Sequence, residues 1–210
     1  MKLEIFRGSA NYEGTASMAG IGTLAAGQWE EIQATSPEVQ TGGTRGVIMG
    51  GRTPGESDDI DYITIDTTGN SLDFGDLATG SRGFANGQTA SRVRGLAMGG
   101  NSTRDDIQSI TIASTGNAII HSGLLTVDKR LAAGASSSTR AITAGGMNPT
   151  SQNVIDATDI ASLGNAIDFG DLSVAKYYLS GLSSPTRAII AGGFGPSSPA
   201  TVNTIEFITI

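Results

Sequence analysis

Four arginines set the rhythm of this chain. Arg45, Arg94, Arg140 and Arg187 are separated by steps of 49, 46 and 47 residues (45 to 94, 94 to 140, 140 to 187). A ring of guanidinium groups is one way to hold a phosphate, an anionic glycan or a nucleic acid. The same planar fork also holds a carboxylate or several carbonyls at once, locking one piece of scaffold to the next. One arginine per repeat fits the second reading: these are structural residues between repeats. Two acidic pairs, Asp58-Asp59 and Asp105-Asp106, occupy equivalent positions read as loops. Calcium takes six to eight oxygens, but the third and fourth copies carry Asn153-Val154 and Asn203-Thr204, and EF-hand spacing is lacking. A solvated loop or an arginine partner is the expectation, and no metal site is assigned. Asp76 and Asp171 read as hydrogen-bonding turn residues.

His121 is the one histidine and replaces Phe74 and Phe169 in register, so it reads as a packing residue. No triad can be built around it. The glycine doublets do not make a phosphate loop, since Gly-x4-Gly-Lys-Ser/Thr is missing and they lie between strands. Tyr177-Tyr178 is an aromatic pair suited either to a contact or to packing. No catalytic residue and no cofactor is expected, and the chain is read as non-enzymatic.

These residues sit on a repeated frame. Thr44-Arg45-Gly46-Val47-Ile48-Met49-Gly50-Gly51 returns as Val93–Gly100, Thr139–Gly146 and Thr186–Gly193. Small and aliphatic, this segment is expected to be an inner strand at a crowded axis, with the glycine doublet turning the chain through positive φ. The β-branched runs Ile60–Ile65, Ile107–Ile112, Ile155–Ile160 and Ile205–Ile210 follow, apolar on both faces as a strand between two neighbours should be. Thr68-Gly69-Asn70, Thr115-Gly116-Asn117 and Leu163-Gly164-Asn165 read as hairpin turns. Leu72–Leu77 and Ile167–Leu172 form a third strand, degenerate at Ile119–Leu124. A looser Ser/Gly-rich segment, such as Ser173–Leu182, is expected to be a polar outer strand.

A period near 47 built from short strands means a propeller or a β-solenoid. The expectation is an all-β, kelch-like repeat array, a four-bladed β-propeller spanning 21–210. Ile21-Gly22-Thr23-Leu24 resembles Phe74-Gly75-Asp76-Leu77, so both chain termini would close the last blade. Residues 1–20 read as an N-terminal arm that docks on a partner, with Lys2–Phe6 a possible strand.

Composition narrows the partners. The 210 residues carry a net charge of −7, which argues against nucleic acid and anionic membrane surfaces. With 30 glycines, the chain has about twice the average of ~7%. The absence of cysteine removes disulfides and zinc–thiolate sites. Met1–Ala10 lacks a secretory signal and no apolar run is long enough to span a membrane, so a host cell would retain the chain in its cytoplasm.

The arginine and glycine-doublet spacing is similar to the kelch repeat, without its tryptophan and tyrosine positions. The ordered string Thr-Arg-Gly, Gly-Gly, Ile-Asp-Tyr-Ile-Thr-Ile, Thr-Gly-Asn, Asp-Phe-Gly-Asp-Leu at 44–77 more closely resembles repeats in virion structural proteins of tailed bacteriophages, above all those of marine cyanobacteria. Good copies stand at 139–172 and 186–210. The resemblance covers 44–210 and implies a place in the virion, assembled in the host cytoplasm. It implies other virion proteins and further copies of itself as partners. The role implied is a tail- or fibre-associated adhesin, a capsid decoration protein, or a module binding a host-surface glycan.

Overall fold

The computed structural model describes residues 2–6, 29–33, 43–52, 54–79, 87–101, 104–196 and 201–210. All regular structure among them is β. The chain divides into Met1–Val39 and Gln40–Ile210. In the first unit, β1 (Lys2–Phe6) pairs antiparallel with β2 (Trp29–Gln33). Within residues 1–20, read from the sequence as an arm, Lys2–Phe6 is the strand its residues suggested. Ile21–Leu24, which the sequence suggested for the last blade, lies outside the described residues.

The second unit holds four antiparallel sheets in chain order. Sheet I is β3 (Arg45–Arg52), β4 (Glu56–Thr64) and β5 (Leu72–Asp76). Sheet II is β6 (Gly87–Ala90), β7 (Arg94–Gly100), β8 (Arg104–Thr111) and β9 (Ile119–Leu124). Sheet III is β10 (Ala133–Ser136), β11 (Arg140–Ala144), β12 (Val154–Asp159) and β13 (Ile167–Asp171). Sheet IV is β14 (Ser180–Ser183), β15 (Arg187–Ala191) and β16 (Ile205–Thr209). Among the described residues, no strand joins sheet IV to sheet I.

Two positions differ from the sequence expectation. The Ser/Gly-rich segment is not an outer strand. It forms β6, β10 and β14, the first strand of the following sheet, and these strands pack on one another. The reason lies in Gly87, Gly134 and Gly181, a constant step of 47. A Cβ on Gly181 would overlap the Gly134 carbonyl, and one on Gly134 would overlap the Gln88 carbonyl. Hydroxyls add rungs: Ser183 Oγ accepts from Ser136 N at 3.2 Å, and Ser136 Oγ donates to Ala90 O at 2.8 Å. The arginine strands β7, β11 and β15 are therefore second from this edge in sheets II–IV, not innermost.

The glycine doublets do turn the chain. Gly50, Gly99, Gly145 and Gly192, the first of each pair, have φ between 64° and 73°, a region where a side chain is strained. In sheets I and II the strand resumes after the doublet, with Gly51 opposite Ser57 and Gly100 opposite Arg104. Asp58-Asp59 and Asp105-Asp106 consequently lie within β4 and β8, not in loops.

Alternation along the strands makes two apolar faces per sheet, and each forward face packs on the rear face of the next sheet. Met49, Ile60 and Phe74 of sheet I meet Ala97 and Ile110 of sheet II. Leu96, Met98 and Ile107 of sheet II meet Ala141 of sheet III, with Ile160 just beyond its β12. Ile142, Ile155 and Ala157 of sheet III meet Ile190 of sheet IV. Each fully buried aliphatic chain contributes roughly 1.5–3 kcal/mol, so the core is three like layers between four sheets.

Candidate functional site

The residues able to do chemistry gather at the joints between sheets. After sheet I the chain passes Leu77, after sheet II Leu125 and after sheet III Leu172, all buried. The next residue donates its backbone N–H to a side chain on the rear face of the following sheet. Ala78 N donates to Gln108 Oε1 at 3.0 Å, Thr126 N to Asp156 Oδ1 at 3.2 Å, and Ser173 N to Glu206 Oε1 at 2.6 Å. Gln108, Asp156 and Glu206 each follow the first isoleucine of the β-branched run, so one register position serves all three joints.

In the second and third joints this acceptor is charged and answered by a lysine 47 residues from its counterpart (129 to 176). Lys129 Nζ lies 2.6 Å from Asp156 Oδ2, with both side chains fully buried. The ammonium also donates to Val154 O at 3.1 Å, and Thr126 Oγ1 donates to Asp156 Oδ1. Burial holds the Lys129 ammonium below its ordinary value against the pull of Asp156. Lys176 Nζ lies 2.5 Å from Glu206 Oε2 and donates to Thr204 Oγ1 at 2.9 Å. Burial pushes the Glu206 carboxyl up, but hydrogen bonds from Lys176 and Ser173 outweigh it and hold it below the usual range. The first joint has the neutral Gln108, whose Nε2 donates to Thr79 Oγ1 at 2.6 Å and Asp106 Oδ2 at 3.0 Å. The sequence reading missed these lysines, although their spacing matches that of the glycine column.

The four arginines split in two. Arg45 Nη1 donates to Ile112 O at 2.7 Å, tying sheet I to sheet II. Arg94 Nη1 donates to Ile160 O at 2.6 Å and Ala161 O at 3.0 Å, tying sheet II to sheet III. Arg45 also stacks over Tyr62, 4.7 Å from the ring centre. Arg140 stacks on Phe169 at 5.3 Å and Arg187 on Phe207 at 4.7 Å, each within its own sheet. In sheet II the ring positions are taken by Ser109 and His121, whose Oγ and Nε2 lie 2.6 Å apart. His121 is therefore half-buried and hydrogen-bonded, not merely packed. Burial, and then Arg94, hold its imidazole below the ordinary value of 6.5. Asp159 is held below the usual carboxylate range by the backbone N–H groups of Ser162 and Ala161.

The glycine–asparagine turns act between sheets as well. Asn117 Oδ1 accepts from Asp76 N and Asn165 Oδ1 from Leu124 N, both at 3.1 Å. Asp76 itself lies at the end of β5, where its carboxylate joins those of Asp58 and Asp59; one oxygen from each lies within 4.8 Å of the others, all exposed. Asp59 also accepts from Ser57 Oγ at 2.6 Å. Asp171 ends β13 at the equivalent place.

Tyr177 and Tyr178 belong to a ring cluster with Phe194. Tyr177 stacks on Phe194 at 5.9 Å, and Tyr178 meets both rings at 5.5 and 6.0 Å. Tyr178 is 49% exposed and takes φ of 56°, held by its N–H on Leu131 O at 3.0 Å. Its counterpart Leu131 has φ of 59° and is buried. Phe207, within the run Ile205–Ile210 that the sequence places between two neighbouring sheets, is 66% exposed. No family model and no curated protein matches this chain, so its function is argued from this geometry.

Proposed function

We propose that this protein is a non-enzymatic structural component of a tailed-phage particle, associated with the tail or its fibres. Its four sheets form a kelch-like array of the propeller type, supported by the shared column of β6, β10 and β14. The observation that carries the reading is where the repeated polar residues go. Arg45, Arg94, Lys129 and Lys176 hold carbonyls and carboxylates across the joints between sheets. A scaffold of this kind presents a repetitive outer surface, as a virion protein present in many copies beside other virion proteins requires.

The test is labelled antibody on purified particles of the phage that encodes the chain. Label on the tail supports the proposal, label on the capsid assigns a decoration role instead, and unlabelled particles overturn it. A second reading, binding of a host-surface glycan, is favoured by one feature: the half-exposed Tyr178 beside two further rings, the kind of platform on which a sugar face stacks. A glycan array on which Tyr178→Ala loses every hit supports that reading, and an array without hits removes it.

A further inference from the structure

The three joints within the chain use a forward face and a rear face, and among the described residues one copy of each is left exposed. On the forward face of sheet IV, Leu182, Ile189 and Phe207 lie opposite one another across β14, β15 and β16. Phe207 is 66% exposed and Ile205, on the same face, 75%. Their counterparts in sheet III, Ala157 and Ile155, are covered by sheet IV. On the rear face of sheet I, Ile48 is 55% and Ile65 61% exposed, with Ile63 beside them. Ala97 and Ile110, the counterparts of Ile48 and Ile63 in sheet II, are buried against sheet I.

We infer that the forward face of sheet IV docks on the rear face of sheet I of a second copy of this chain, head to tail. Residue sizes support this pairing. Sheet I carries a ring, Tyr62, on its forward face, and its successor begins Arg94-Gly95, where a Cβ would be tight against Ile110 of its own sheet at 3.1 Å and in ordinary contact with Met49 of sheet I at 3.8 Å. Sheets II and III carry Ser109 and Ala157 instead, and their successors begin Arg140-Ala141 and Arg187-Ala188. Sheet IV carries a ring again, Phe207, and the strand whose arginine is followed by glycine is Arg45-Gly46 of sheet I. Arg187, stacked on Phe207 as Arg45 is on Tyr62, supplies the same link. Its guanidinium reaches the Ile65 carbonyl of the second copy, the counterpart of Ile112 O. A heterologous contact of this kind builds a ring or a filament, not a two-fold dimer.

The inference does not depend on the virion assignment. Its test is the mass distribution of the whole chain against concentration by sedimentation velocity, for the wild type, Phe207→Asp, Ile48→Asp and an equimolar mixture of the two variants. The expected result is concentration-dependent assembly of the wild type, monomers for each variant alone, and dimers limited to one of each variant in the mixture. The mixed dimer also shows that both variants fold. A wild type that stays monomeric at its solubility limit overturns the inference, and so does an Ile48→Asp variant that dimerises alone through its sheet IV face.

Discussion

The joint between sheets I and II and the joint between sheets II and III share one geometry and solve it with different chemistry. Both place a rear-face side chain under the backbone N–H that follows a buried leucine. The first uses the amide Gln108, which satisfies itself on Thr79 and Asp106. The second uses Asp156 and needs Lys129, because a lone buried carboxylate is strongly disfavoured. The need is for an acceptor at that point; the ion pair is one way of supplying it. Desolvation of both ions offsets much of their attraction, so the charged joint is not automatically the stronger.

The largest test of that comparison removes one ion. Asp156→Ala leaves Lys129 buried and unanswered, and urea denaturation is expected to show a loss of about 3–5 kcal/mol. The double variant Lys129→Met/Asp156→Gln, which keeps an acceptor under Thr126 N as Gln108 does under Ala78 N, is expected to recover most of that loss. A double variant as unstable as Asp156→Ala would mean the ion pair itself, not the avoidance of a lone charge, holds the joint. Gln108→Ala in the neutral joint is expected to cost less, about 1–3 kcal/mol, since it strands polar groups without stranding a charge. Equal losses at Gln108 and Asp156 would dissolve the distinction between the joints.

The arginines sharpen the comparison at smaller scale. Arg94→Ala removes two carbonyl contacts into sheet III and is expected to cost about 1.5–3 kcal/mol. Arg140→Ala removes a stack within its own sheet and is expected to cost about 0.5–1 kcal/mol. The smallest effect is a pH dependence. The folded chain holds the His121 proton less tightly than the unfolded chain does, because its value sits below 6.5. As pH falls below 6.5 the unfolded state takes up that proton first, so stability drops until the pH passes the lower folded value. His121→Phe, which restores the residue type of Phe74 and Phe169, is expected to remove this drop. Denaturation midpoints on either side of pH 6.5 check it.

Much of the frame was legible. The glycine doublets marked the positive-φ turns, and the β-branched runs marked strands buried on both faces in sheets II and III. The inner and outer strands were exchanged in the reading because Ser and Gly suit both a solvated edge and a column too tight for a side chain. Only the approach of Gly134 to Gln88 and of Gly181 to Gly134 separates the two, and that is a property of the stack rather than of any one strand. Lys129 and Lys176 escaped notice because lysine is almost never fully buried and because Gln108 breaks the pairing in the first joint. The exposure of Phe207 escaped for the same kind of reason: its neighbour is decided by which sheet follows, not by its own strand.

The account rests on β6, β10 and β14 forming the column where the sheets meet. The chain has no cysteine of its own, so Ser136→Cys/Ser183→Cys offers a clean probe of that contact. A short bis-maleimide spacer is expected to bridge the two thiols within the folded monomer, read as faster migration in a denaturing gel, because Ser183 Oγ reaches the Ser136 backbone N at 3.2 Å. Two thiols that the spacer never bridges in the folded monomer would place these strands on separate outer edges and contradict the stacking of the sheets.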